Sequence, residues 1–566
     1  MRLRCLMLGA TAMALTASAA MAGRGTDGQV SVIMWQAPST MNPYLSAGTK
    51  DIIASSVALE PLASFTPEGT LQPRLAAEIP SLANGGIAQD LKSVTWKLRP
   101  GVKWADGSPF TAADVAFTAA YCMDPSGGCA QLAKFEGIEK VEAVDELTVR
   151  ISFVSPRPDP FSAFVGAQTP VLQQAQFKDC TGDKAPTCTA QNADPQGTGP
   201  FKVTEFRTND TISFAVNPQY RDADKPAFAT LVIKGGGDAA AAARAVLETG
   251  EADYAWNTQL APDVMAGMEA AGKGRNLAAF GSLVERIHVN LTDPSPDLPD
   301  AERSTLKHPH PILSDPAVRR ALSMAIDRQL LTEVGYGAAG QPTCNLVPAP
   351  AAWASQNTGC LTQDIDGAKA LLDQAGWVPG ADGIREKDGR RLRLVFQTPV
   401  NAVRQDFQAL IKQEWHEIGV ETELKTVDPS VFFGGDAGAA DTMQKFHADV
   451  EMYANNFEGN NPEPYLAQQT CDKAPSPDNQ WQGENHSRYC DPEFDRLIGE
   501  MTQIVDPAKR GEMGKRLNDM LTKDSNAIIP LVDRGITSAV SNRMGGVALN
   551  AWDSELWNVA DWYRAK

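Results

Sequence analysis

The chain has 566 residues, of which 43% are hydrophobic and 21% are charged, as in an ordinary globular protein. Its 51 basic and 69 acidic residues give a formal net charge of −18, which disfavours binding to nucleic acid or to anionic membranes. A chain of this length exceeds what one hydrophobic core supports, so we expect two or three domains.

The N-terminus carries the three-part pattern of a secretory signal. Arg2 and Arg4 form a basic start, an apolar stretch runs from Cys5 to about Ala20, and Ala20 and Ala22 are small residues at the two positions that a signal peptidase reads. The stretch is short for a membrane span, which needs about 20 apolar residues. We expect residues 1–22 to be a cleaved signal peptide, rather than a core helix, and the mature protein to be periplasmic.

The first predicted elements of the mature chain are two strands and a capped helix. Apolar residues alternate along Val30–Trp35, and Val94–Arg99 alternates apolar and polar residues with the period of a half-buried strand. Thr111 is predicted to start a helix, because Asp114 three residues later completes a capping box.

Eight cysteines remain after the signal peptide, and they fall into four close pairs. Each pair brackets a loop rich in Gly, Pro, Asp, Asn or Ser. Closing a short loop costs the least chain entropy, so we predict four local disulfides in an oxidising compartment. Zinc binding is the alternative, but the sequence has no Cys-x-x-Cys motif and the pairs lie far apart. The predicted pairs are Cys122 with Cys129, Cys180 with Cys188, Cys344 with Cys360, and Cys471 with Cys490.

A glycine-rich turn follows a predicted strand at Thr230–Lys234. Gly235–Gly237 could hold a phosphate through free N–H groups. However, the Lys-Ser/Thr ending of a nucleotide-binding loop is missing, and Asp238 would repel phosphate. We therefore favour Asp238 as the N-cap of the alanine-rich helix that follows.

The second half of the chain alternates predicted helices with predicted strands. A strand–helix–strand unit of this kind indicates an α/β domain. The proline-rich and charged segment Asp293–Pro311 is the predicted linker. The predicted helices are Asp315–Leu331, Asp364–Ala375 and Val403–Ile418, and the predicted strands are Leu392–Phe396 and Glu421–Leu424.

Catalytic motifs are scarce. The sequence has no Gly-x-Ser-x-Gly, no His-Glu-x-x-His and no Gly-x-Gly-x-x-Gly after a strand. The segment His308–Pro309–His310 is interpreted as an exposed loop, since a metal site needs further ligands. We expect no enzyme activity, no cofactor and no metal, and keep a secreted hydrolase as the disfavoured alternative.

Several segments resemble the bacterial extracellular solute-binding proteins of family 5, the peptide, nickel and opine receptors of ABC importers. The most specific of them is the stretch Trp96–Val115, which resembles the signature of that family almost residue for residue. The other matching segments are Gly197–Phe201, Gly250–Asp253, Asp315–Leu322 with Ala325–Arg328, and Ala368–Leu372 with Ala375–Trp377.

The resemblance implies an α/β, two-lobed periplasmic-binding-protein fold with mixed sheets, of type II and similar to cluster C. It has three domains, one lobe carrying an extra domain, and a hinge that closes the lobes over a ligand. The implied partners are a small organic solute or peptide and a membrane permease with its ATPases, and the implied state is a monomer. The expected ranges are 23–60, 197–290 and 535–566 for the first lobe, 61–196 for the extra domain, and 291–534 for the second lobe.

The resemblance also suggests where the ligand binds. Dipeptide receptors of the family grip the peptide amine with an aspartate and the carboxylate with an arginine. Here those positions align with Asn455 and Thr398, which are uncharged and cannot neutralise a zwitterion. Longer peptides, opines, sugars and metal or haem chelates therefore stay open as ligands. The candidate cleft residues are Trp35, Gln36, Trp256, Asn257, Thr398, Asn455, Asn456 and Phe457, with a buried core ring as the alternative for each tryptophan.

Overall fold

The computed structural model describes residues 23–46, 48–433, 438–457 and 459–565. The predicted signal peptide, residues 1–22, lies outside the described residues. Within those ranges, no helix combines the length and the apolar character needed to cross a membrane.

The strands are numbered along the chain. They are β1 (Gln29–Met34), β2 (Ala63–Phe65), β3 (Leu71–Pro73), β4 (Ser93–Lys97), β5 (Ile138–Asp145), β6 (Thr148–Phe153), β7 (Phe201–Arg207), β8 (Thr211–Val216), β9 (Thr230–Gly235), β10 (Tyr254–Ala255), β11 (Gly274–Ala279), β12 (Val284–Val289), β13 (Gly340–Pro342), β14 (Val378–Pro379), β15 (Arg385–Lys387), β16 (Arg390–Arg391), β17 (Arg393–Pro399), β18 (Glu421–Val427), β19 (Val450–Asn455), β20 (Ile528–Arg534), β21 (Ile536–Ser541), β22 (Met544–Gly545) and β23 (Tyr563–Arg564).

The α-helices are numbered in the same way. They are α1 (Thr49–Ser55), α2 (Ala112–Met123), α3 (Gln174–Phe177), α4 (Thr189–Ala193), α5 (Ala239–Leu247), α6 (Pro262–Glu269), α7 (Pro316–Met324), α8 (Arg328–Gly335), α9 (Ile365–Gln374), α10 (Ala402–Glu417), α11 (Pro429–Phe432), α12 (Glu463–Ala467), α13 (Pro492–Met501) and α14 (Pro507–Asp519).

Two large mixed sheets form the two lobes. The first has the strand order β11-β21-β10-β1-β9-β8-β7, and the second has the order β13-β20-β12-β19-β17-β18. In the first sheet β1 runs parallel to β9 and β10, and in the second β17 runs parallel to β18 and β19. The α/β fold with mixed sheets is therefore confirmed.

A third layer contains the small sheet β4-β6-β5 and the hairpin β2-β3. Its core is dominated by rings, among them Trp96 and Trp104, which are fully buried. Trp96 packs edge-on against Phe161 with 5.9 Å between ring centroids. These elements lie within residues 61–196, the range predicted for the extra domain.

Local sequence signals are confirmed in several places. Asp238 caps α5, since its carboxylate accepts a 2.7 Å hydrogen bond from the Ala241 N–H. The backbone N–H of Thr111 donates to Asp114 at 2.9 Å, as the capping box predicts. All four predicted cysteine pairs are disulfide-bonded.

The single helix predicted over Asp315–Leu331 is wrong. The chain forms α7 and α8, and the helix is interrupted at residues 325–327. Asp327 accepts a 3.0 Å hydrogen bond from the Leu330 N–H and starts the second helix. A side chain that caps a new helix competes with continuation of the first one, and the apolar periodicity did not reveal this.

The chain crosses between the two large sheets twice, through residues 280–283 and at Gly535. The crossings lie side by side: Ala279 pairs with Ile536 on one side, and Val284 pairs with Asp533 on the other. Between them the Arg534 N–H donates to the Leu283 carbonyl at 3.0 Å. The two sheets are therefore joined by one narrow double connection.

The position of this connection corrects the predicted linker. Segment 293–311 folds back on itself, with the Asp293 N–H donating to the His308 carbonyl at 2.8 Å, and the chain on both sides of it belongs to the second lobe. Likewise β12, within the predicted first-lobe range 197–290, pairs in the second sheet. The remaining domain boundaries stay a prediction.

A buried carboxylate joins the first lobe to the extra domain. Glu60 is 2% exposed and receives both guanidinium nitrogens of Arg221, at 2.6 and 2.8 Å, together with Arg74 at 3.2 Å. Burial alone would raise the pKa of Glu60, but Arg221 and Arg74 outweigh it and lower that pKa. The chain packs tightly near this ion pair: a Cβ on Gly197 would lie 1.9 Å from the Ala58 carbonyl oxygen.

We predict that Glu60→Gln lowers the free energy of unfolding at pH 7 by about 3–5 kcal/mol, because it breaks a largely buried ion pair and leaves the half-buried Arg221 without its counter-ion. Because the folded-state pKa of Glu60 is lowered, its contribution is complete above the unfolded pKa of about 4.3 and is lost as the pH falls through the folded value. Urea titrations at pH 7 and below pH 4 measure this. Glu205→Gln, which removes an exposed ion pair with Arg207, is the control. Equal effects of the two substitutions would contradict the role of Glu60.

Candidate ligand-binding cleft

The two large sheets turn the ends of their parallel strands toward each other. In open α/β sheets the space beyond the carboxyl ends of parallel strands is where ligands bind. In the first lobe β1 ends at Met34 and β10 at Ala255, and in the second lobe β17 ends at Pro399 and β19 at Asn455. Most of the predicted cleft residues follow these four ends.

Two tryptophans follow the strands of the first lobe. The rings of Trp35 and Trp256 stack with 6.4 Å between centroids, and the Trp35 Nε1–H donates to the Asn257 carbonyl at 3.0 Å. Asn257 has φ of 54°, a left-handed conformation that asparagine tolerates better than most residues. The structure thus brings three of the predicted residues together, with Gln36 half-buried beside Trp35 in the chain.

Glu555 holds the Trp256 ring in place through hydrogen bonds. Its carboxylate accepts hydrogen bonds from Trp256 Nε1 at 2.9 Å, Tyr254 Oη at 3.0 Å and Ser538 Oγ at 2.6 Å. Burial raises the pKa of Glu555, because these donors are neutral and compensate only partly for lost hydration. The indole of Trp256, 4% exposed, is consequently held in one orientation.

The second-lobe candidates differ in how accessible they are. Asn456 is exposed and Asn455 is half-buried at the end of β19. Phe457 is buried against Tyr465 and Trp552, with 5.4 and 6.5 Å between ring centroids, and so lies where the lobes touch. Thr398 is fully buried, and its hydroxyl donates to a backbone carbonyl at 2.7 Å. Ligand contact by these residues stays a prediction.

We call the double connection at residues 280–283 and Gly535 the hinge. Sequence reasoning missed the charged residues that lie beside it. Glu285 is fully buried between Arg404, at 2.7 Å, and Arg534, at 3.7 Å, and it accepts a 2.9 Å hydrogen bond from Tyr336. Burial raises the pKa of Glu285, but the two guanidinium groups outweigh it and lower that pKa. The partners come from three separate segments, so no local motif could reveal them.

Gln259 carries the contact across the cleft. Its side-chain amide lies against the guanidinium group of Arg534 and 3.3 Å from the amide of Asn401, the N-cap of α10. Gln259 belongs to the first lobe, whereas Arg534 and Asn401 belong to the second. The lobes therefore touch through a polar contact close to the hinge.

The histidines do not converge on the cleft. His310, expected in an exposed loop, is 2% exposed; its Nδ1 accepts the Ile312 and Leu313 N–H groups and its Nε2 bonds Asp449 at 2.9 Å. The exposed-loop interpretation is wrong for this residue, because its ring supplies hydrogen bonds that a buried turn needs. Among the described residues, no three His, Cys, Asp or Glu side chains are grouped so as to hold a metal ion.

The fold and the cleft together define a two-lobed solute-binding protein. Residues 70–475 match the family described as bacterial extracellular solute-binding proteins, family 5 Middle. The chain belongs to this family. The predicted class, a binding protein rather than an enzyme, is thereby confirmed.

Relatives and solved structures agree with this assignment. The glutathione-binding protein GsiB of Escherichia coli K12 is 24% identical over 545 residues, which cover 94% of each chain. NikZ of Campylobacter jejuni, solved with Ni(L-His), has a TM-score of 0.77 at 20% identity, covering 95% of this chain and 99% of its own. AppA of Bacillus subtilis, solved with a nonapeptide, has a TM-score of 0.77 at 19% identity, covering 96% and 100%.

We predict that Gln259→Ala shifts the unliganded protein toward an open arrangement of the lobes. The substitution removes a hydrogen bond to a charged group, which contributes about 1.5–3 kcal/mol, and the open population should rise about tenfold or more. Small-angle X-ray scattering measures this as a larger radius of gyration.

Gln329→Ala is the matched control, since the exposed side chain of Gln329 donates to its neighbour Glu333 on α8. An unchanged radius of gyration for Gln259→Ala would show that the contact does not hold the lobes together.

Proposed function

We propose that the protein captures a peptide or peptide-sized organic solute between its lobes and delivers it to an ABC permease powered by ATPases. It acts in the periplasm as a monomer, after removal of residues 1–22. The observation that carries the proposal is the pair of facing strand ends beside the double connection between the sheets, where the half-buried Trp35 and several side-chain amides follow the strands.

The composition of the cleft favours a peptide. Backbone amides of a peptide match the donor and acceptor pairs of Asn257, Asn455 and Asn456, and aromatic rings such as Trp35 accommodate apolar side chains. Two proteins similar to this chain are described with glutathione and with a nonapeptide. Opines and sugars offer similar hydrogen-bonding groups and are the alternatives.

A metal chelate is a weaker candidate despite the likeness to a structure solved with Ni(L-His). Such a ligand is best held by imidazole groups that reach the metal. In the described structure His288, His310 and His486 are each at most 2% exposed and bonded to neighbours inside the second lobe. The peptide class is therefore preferred.

We predict that a peptide ligand stabilises the native protein by about 2.7 kcal/mol when present at 100 times its Kd. The measurement is thermal unfolding with panels of peptides, sugars and opines, together with native mass spectrometry of protein purified from its own host. Trp35→Ala should reduce the ligand-induced shift, because it removes half of the indole stack.

Val378→Ala, an exposed position on the small sheet β14-β15-β16, should leave the shift unchanged. A shift with sugars or opines alone would replace peptide by that class. Turnover of a bound solute would overturn the binding role.

A further inference from the structure

One carboxylate at the hinge has no partner. Asp533 is the last residue but one of β20, directly before Arg534 and the crossing at Gly535. It lies opposite Val284 on one side and Gln341 on the other. Directly opposed residues of antiparallel strands point to the same face, so Asp533 shares a face with Val284 and, one strand further, with Asn455.

The Oδ1 atom of Asp533 is buried and makes no hydrogen bond within the described structure. No lysine, arginine or histidine of the described residues lies within ion-pair distance of this carboxylate. Burial raises the pKa of Asp533 to about 7. Glu60 and Glu285, by contrast, are each paired with two arginines. Glu414 and Glu451 also keep a buried carboxylate oxygen without a hydrogen bond, but both are buried within the second lobe, whereas Asp533 stands at the end of β20 beside the crossing at Gly535. There the positive charge of a ligand can offset the several kcal/mol that an uncompensated carboxylate costs.

The nearby cations are already engaged and cannot serve Asp533. Arg534 and Arg404 share Glu285 on the opposite face of the sheet. Arg286, on the same face, is 1% exposed and donates to His288 Nε2 at 2.8 Å and to Tyr465. Asp533 therefore has no counter-ion among the described residues, and a ligand can supply one.

We propose that Asp533 binds a cationic group of the transported solute, an ammonium or a guanidinium, inside the cleft. This inference rests on the proposed function, since it names the charge of the ligand for that site. It also accounts for the uncharged Asn455 on β19. The negative charge is instead carried by Asp533 on β20, which is separated from β19 by the single strand β12.

The arrangement sets the spacing of the groups that the ligand presents. Adjacent strands are about 4.8 Å apart, so the backbones at Asp533 and Asn455 are separated by about 10 Å. An extended peptide advances about 3.3–3.6 Å per residue, so about three residues cover that distance. A free amine at Asp533 would thus place a backbone amide of the same peptide near Asn455.

The test compares trialanine with N-acetyl-trialanine by titration calorimetry at pH 7, where the free amine is protonated. The native protein should bind trialanine about tenfold or more tightly than the acetylated peptide, as expected for a charge-assisted hydrogen bond. In Asp533→Asn the two peptides should bind with about equal affinity, and the affinity for the acetylated peptide should equal that of the native protein. Asp300→Asn, on an exposed loop of the second lobe, is the control and should keep the preference.

The outcomes distinguish the role of Asp533 from the peptide-binding function itself. Because Asp533→Asn removes an uncompensated buried carboxylate, its melting temperature should not fall, and a folded variant is therefore expected. If both peptides bind equally, or if Asp533→Asn keeps the preference, the charge inference is wrong while the peptide receptor stands. If neither peptide binds the native protein, the peptide function itself is contradicted, and the inference with it.

Discussion

Two backbone crossings, lying side by side at residues 280–283 and at Gly535, connect the large sheets, and the remaining architecture depends on them. They are too close together to permit independent motions, and they carry strand pairs on both sides. Gly281 shows how tight the passage is, because a Cβ there would lie 2.6 Å from the Ala551 side chain. A joint of this kind favours one motion, the opening and closing of the lobes about the crossings.

Charge around the joint is arranged in opposite ways on the two faces of the second sheet. On one face Glu285 pairs with two arginines and connects α10 and Tyr336, at the end of α8, to β12, and Arg534 extends that network to the first lobe through Gln259. On the other face Asp533 stands without a counter-ion. The first face stabilises the joint, and the second offers an attractive site to a ligand that reaches the joint.

Short-range chemistry was predictable from the sequence. The four disulfides close loops of 7 to 19 residues, so proximity in the chain decides the pairing. Asp238 as a cap needs only the N–H group three residues on. The helix interruption at 325–327, by contrast, depended on a competition between Asp327 as a cap and the continuing helix, which periodicity alone does not reveal. His310 was misjudged because its ring bonds Asp449, 139 positions away.

The sequence by itself determined the family, the α/β class and the four disulfides, since these follow from motifs, from the order of the elements and from proximity in the chain. The tertiary structure decided where the chain crosses between lobes and which charges are compensated. Glu60, Glu285 and Asp533 look alike in the sequence, as acidic residues in or beside apolar segments. Their roles differ because ion pairing depends on distances of a few Å between residues that lie far apart in the chain.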